Sequence, residues 1–174
     1  MVPHRDKPTS SASSKSVEEL IKGLGSRDGD ERKSARRQLE ARGWQVVEPL
    51  VKALDDPDEQ VRWSAAKALG NIGHPAAAAG LAAAMADDSF DVRWMAAEGL
   101  AKFGRSALEP LLHVLATRPD SPDLYLVAHY VVRHLLDEGF DDILRPVEAA
   151  LDEIEPATGT PMVAKAALEK LGAA

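Results

Sequence analysis

From residue 17 onward, apolar positions return every three to four residues, the period of a helix with one buried face. Over 59–72 the stripe is Val61, Ala65, Ala68, Leu69 and Ile72. No segment alternates strictly between apolar and polar, so no strand is expected. The pattern predicts helices in pairs. First helices are expected at about 17–25, 45–54, 76–86, 107–116 and 141–154, and second helices at about 31–42, 59–72, 91–103, 123–137 and 161–171. Asp, Ser and Pro cluster at 55–58, 87–91 and 119–123, where they mark tight turns inside pairs. Gly43, Gly73, Gly104, Gly139 and Gly172 stand just past the second helices, where a left-handed C-cap favours glycine. Residues 1–15 are different material, dominated by Pro, Ser and Thr, with Val2 the one large apolar side chain besides Met1. Such a stretch cannot bury enough surface to offset its chain entropy, and a disordered tail is expected.

The pattern also repeats. Val-Arg-Trp-x-Ala-Ala stands at 61–66 and again at 92–97, 31 residues on. Glu-Pro-Leu recurs at 48–50 and 109–111, and 162–172 aligns with 63–73. The units run at about 16–43, 44–73, 74–104, 105–139 and 140–174. A single helix pair cannot bury its own apolar face, whereas stacked neighbours make one continuous core.

In residues 54–73, and in the copy from Asp87 to Gly104, the chain resembles the HEAT repeats, in particular the short bacterial HEAT-like repeats of phycobilisome lyases. The resemblance implies an all-α, right-handed α-solenoid of about five helix pairs over 16–174. It also implies a ladder in which a turn aspartate pairs with an arginine six residues on, here Asp56 with Arg62 and Asp87 with Arg93. Units one, four and five depart from the pattern.

Composition narrows the function. Among 174 residues there is no cysteine, which excludes disulfides, thiolate metal sites and cysteine nucleophiles, and fits a reducing, cytoplasmic setting. The longest apolar run, 76–86, is about half of what a membrane helix needs, and the N-terminus lacks the apolar core of a signal peptide. The net charge of −7 argues against a general nucleic-acid binder. Lys and Arg outnumber Asp and Glu in the second helices, and the reverse holds elsewhere.

In HEAT-like stacks the second helices line the concave side. There Trp63 and Trp94 stand opposite the core stripe, and Leu126 and Met162 continue their column. Tyr130 and Arg133 border it, with Arg36, Arg37 and Lys67 at the basic end. Large apolar side chains flanked by Ala and Gly suit a groove for a peptide, and the basic residues favour an acidic one. The alternative is that both tryptophans lie flat on neighbouring helices. Nothing points to catalysis. No His-Glu pair of the deoxyhypusine hydroxylase kind occurs, His129 and His134 diverge on their helix, and no phosphate-binding loop follows a strand. The reading is a non-catalytic scaffold or adaptor for a protein or peptide, with no cofactor implied. An accessory role beside a bilin lyase-like or chaperone-like enzyme is the alternative, and nucleic-acid binding is a more distant one.

Overall fold

The computed structural model describes residues 15–118, 121–153 and 155–172. Among them run ten α-helices and no strand. They are α1 (Val17–Gly23), α2 (Gly29–Glu40), α3 (Val47–Lys52), α4 (Glu59–Ile72), α5 (Ala78–Ala84), α6 (Phe90–Ala101), α7 (Arg105–Thr117), α8 (Pro122–Asp137), α9 (Asp141–Leu151) and α10 (Pro156–Gly172). The expected tail lies outside the described residues except for Lys15. Its carbonyl accepts a hydrogen bond from Arg42, and its ammonium stands 3.8 Å from Glu31.

Local chemistry sets the helix ends. Ser16 opens α1 with a reciprocal box: the Glu19 N–H donates to Ser16 Oγ at 3.1 Å, and the Ser16 N–H to Glu19 Oε2 at 2.7 Å. Asp28 and Asp58 cap α2 and α4 by accepting from the N–H two residues on, each at 2.8 Å. Gly73 ends α4 at φ 67°, a left-handed conformation that costs a side chain dearly. Gly43, Gly104 and Gly139 also have positive φ, but Gly172 is the last residue of α10 and forms no such cap. The first helices of units two and three are short. They are entered or left through 3₁₀ turns at Gly43–Val46, Ala53–Asp55 and Pro75–Ala77. The helix α10 starts earlier than the expected residue 161. Pro161 removes one backbone donor, and the residue whose carbonyl would have accepted it, Ala157, is exposed to water.

Stacking follows the repeat through the first four pairs. The second helices α2, α4, α6 and α8 pack in sequence, and α1, α3, α5 and α7 form the other layer. The leucines of this core, including Leu39, Leu69, Leu81, Leu100 and Leu112, are sealed from solvent. At the α4–α6 crossing, Gly70 faces Gly99 so closely that a Cβ on Gly70 would lie 2.7 Å from the Gly99 Cα. Side chains at repeat spacing tie neighbours together. Asn71 Nδ2 donates to Glu40 at 2.8 Å, and Ser89 Oγ to Glu59 at 2.7 Å.

The fifth pair breaks the order. Its first helix, α9, packs along α8, and its second, α10, packs along α7 and touches α8 only marginally. The two helices have exchanged layers. Electrostatics agree: His129 Nε2 lies 2.7 Å from Asp152, and Arg133 Nε 3.7 Å from Glu148, both links from α8 to the α9 segment. The broad apolar stripe of α9 (Leu144, Val147, Ala150, Leu151) is buried here, while Ala164 and Ala167 of α10 permit a close approach to α7. Among the described residues no helix is long and apolar enough to cross a membrane.

Candidate functional site

The turn ladder comes first, because it holds the second helices in register. Arg62 on α4 donates from Nε to Asp87 Oδ2 at 2.7 Å and from Nη2 to Oδ1 at 3.0 Å, across to the next repeat. Its Nη1 donates to the backbone carbonyl of Asp56 at 2.9 Å, not to that residue's carboxylate. The bond to Asp87 holds the Arg62 pKa above the usual arginine range. Arg93 repeats the scheme one unit on. Its Nη1 donates to the carbonyls of Asp87 at 2.7 Å and Asp88 at 3.1 Å, and its Nη2 lies 3.2 Å from Asp123 of the following unit. In unit one, Arg32 reaches the Ser26 carbonyl at 2.7 Å, so the backbone half of the rung persists where the aspartate is missing.

Between these rungs, α6 and α8 present an apolar row. Trp94 is 40 % exposed, and its ring centroid lies 5.0 Å from that of Tyr130 on α8. Phe90, 56 % exposed, stacks on Trp94 at 6.4 Å, and His134 stacks on Tyr130 at 6.4 Å. Leu126, one turn before Tyr130, is 70 % exposed and leads into a hollow of about 850 Å³ floored by Tyr125, Leu151 and Pro156. The sequence column missed Phe90 and His134. The signal was there: each lies four residues from an aromatic residue of the row and so on the same helix face.

Trp63 departs from the expected equivalence with Trp94. It is half-buried against the core, and two cations cover its ring: Lys67 Nζ at 4.9 Å from the centroid and Arg36 Cζ at 6.0 Å. With Arg32 and Gln60 these residues line a groove of about 610 Å³ between α2 and α4, whose lip carries Asp58, Glu59 and Asp91. Arg37 is exposed on α2 but is not among the residues that line this groove. Met162 does not continue the column. It is 71 % exposed, but α10 lies in the layer of α7, so the exchange of the last pair removes it from the face of Trp94 and Leu126. Arg133 is drawn toward Glu148 on α9. The basic character of the second-helix layer is therefore concentrated at α2 and Lys67, since Arg62 and Arg93 are spent on rungs and Lys165 and Lys170 leave with α10. Among the described residues no three His, Asp or Glu side chains come together as a metal site.

Comparison with known proteins bears on the fold. No curated protein is similar to this sequence at a significant level. Among solved structures, a designed armadillo repeat protein in complex with the peptide (KR)4 is 21 % identical, over 91 % of this chain and 89 % of that one, with a TM-score of 0.43. Residues 17–92 match the family model of HEAT repeats, and residues 92–117 that of the PBS lyase HEAT-like repeat. With two such matches running consecutively over 17–117, more than half of the sequence, the chain belongs to the HEAT-like repeat proteins.

Proposed function

We propose that the protein is a non-catalytic scaffold or adaptor that holds a segment of another protein across the open face of its second helices. The observation that carries this reading is the Trp94–Tyr130 contact, with Phe90 and Leu126 exposed beside it. Large apolar side chains cost solubility when left in water, and folding gives them no reason to gather on that side of two neighbouring helices. Exposed aromatic clusters bordered by polar residues are the usual anchors of protein recognition.

Affinity capture tests the reading, using the wild-type chain and a Trp94→Ala, Leu126→Ala variant side by side. A partner retained by the first and lost from a variant of unchanged circular dichroism supports it. Partners retained equally by both would remove this face from the function. The accessory role beside a bilin lyase-like enzyme rests on repeat type over 92–117 alone. Titration with a bilin separates the two, since the scaffold reading expects no absorbance change.

A further inference from the structure

The two ends of the face differ in chemistry, and their separation is set by helix packing. At the α2–α4 end, Lys67 caps the Trp63 ring and has no ion-pair partner among the described residues. Arg36 also lies over that ring, paired with Glu40 on its own helix, and Arg32 and Lys33 line the same groove. The acids on the lip are partly engaged: Asp58 caps α4 through the Gln60 N–H, and Glu59 accepts from Ser89. Asp58 and Glu59 stand at the start of α4, more than two turns before Lys67, and Asp91 is in the first turn of α6. At the α6–α8 end the surface is Phe90, Trp94, Leu126 and Tyr130, and the one cation of the rung there, Arg93, is buried and pairs with Asp123 at 3.2 Å.

We propose, building on the protein-binding reading above, that this face accepts an extended segment in one register: an acidic stretch over α2–α4 and an aromatic or aliphatic anchor over α6–α8. Charge complementarity selects the first part. Lys67 and Arg36 stand over the Trp63 ring, with Arg32 and Lys33 lining the same groove, and their attraction for a carboxylate is less screened there than in open water. The Trp94–Tyr130 platform selects the second. Packed helices lie about 8–10 Å apart, so the two grooves are two steps, about 16–20 Å, from one another. An extended chain advancing about 3.3 Å per residue covers that in about five or six residues. A helical ligand, rising about 1.5 Å per residue, would need about eleven to thirteen.

The spacing makes the idea testable without knowing the natural partner. The full-length protein is immobilised and challenged with a phage-displayed library of about sixteen random residues. Enriched sequences should carry Asp or Glu on one side and Trp, Phe or Leu on the other, about five or six positions apart. A synthetic copy of the best sequence should bind about tenfold more weakly to Lys67→Glu and to Leu126→Ala, two surface changes whose melting curves serve as folding controls. Shortening its spacer by three residues should cost a similar factor. Enriched sequences that are basic, that are spaced as a helix requires, or that show no fixed spacing overturn the register while leaving peptide binding intact. Failure of any sequence to enrich overturns the binding reading and the register with it.

Discussion

Arg62 grips Asp87 with two parallel hydrogen bonds, at 2.7 and 3.0 Å, and thereby joins α4 to the turn that starts α6. Both side chains are largely shielded from water, and the carboxylate also accepts the Ser89 N–H at 2.8 Å. Charge-assisted bonds of this kind contribute about 1.5–3 kcal/mol, and losing one partner strands the other. Asp87→Ala should therefore lower the unfolding free energy by about 2–3 kcal/mol in urea titrations. Asp88→Ala next to it, an exposed carboxylate, should change little. The arginine side of the pair is insensitive to pH in any ordinary buffer. A raised arginine pKa gives a contribution fully present below the unfolded value and lost only as pH climbs through the folded one, in strong alkali.

Gly70 and Gly99 make a second seam between the same two helices. A methyl group on Gly70 must push the α4 and α6 backbones apart, because the first atom its Cβ meets is backbone, not a movable side chain. Gly70→Ala should cost about 1–3 kcal/mol despite alanine's better helix propensity. Gly29→Ala in α2 is the control. Its Cβ would meet only Arg32 Nη2 at 3.6 Å, so thermal melts should show no loss there.

The two tryptophans should separate in their effect on stability. Trp63 packs against the core and Trp94 is 40 % exposed, so Trp63→Ala should lower the melting temperature more than Trp94→Ala does. Leu100→Ala, at a fully buried side chain of α6, sets the upper end at about 2–5 kcal/mol. Equal losses for the two tryptophans would show that Trp94 is as deeply embedded as its partner.

Much of this could be read from residues alone, and the failures have a common cause. Val61, Ala65 and Leu69 declare a helix and its buried face through spacing, and Asp58 and Gly73 declare its ends through capping. Each is a property of neighbours in the chain. The exchange of α9 and α10 is not. Ala164 and Ala167 match Ala65 and Ala68 in spacing, but small residues say only that something packs closely there, not whether it is α8 or α7. The role of Trp63 fails for the same reason. Its position on the helix is identical to that of Trp94, and what differs is Lys67 and Arg36 closing over it where α6 and α8 offer Tyr130.

The exchanged pair gives a local prediction. Glu148 lies 3.0 Å from Arg145 and 3.7 Å from Arg133. It also helps raise the Arg145 pKa, being the first cause of that shift. Glu148→Lys would gather three cations between α8 and α9. Hydrogen exchange should show faster opening of α9 with unchanged protection in α4 and α6, because repeat stacks transmit stability chiefly between nearest neighbours. Uniform loss across the chain would show a fold far more cooperative than its layering suggests.

Arg93 has a place in both halves of this molecule. Its guanidinium holds the Asp87–Asp88 turn, reaches Asp123, and lies 5.8 Å from the Phe90 ring that opens the aromatic row. Position 90 is thus mechanically wired to the joint between units, whereas Leu126 is fastened to nothing that the joint needs. Divergence in ligand preference can then proceed freely at 126 and only at a structural penalty at 90. Laboratory evolution toward new partners should accumulate its changes on α8 long before it touches the start of α6.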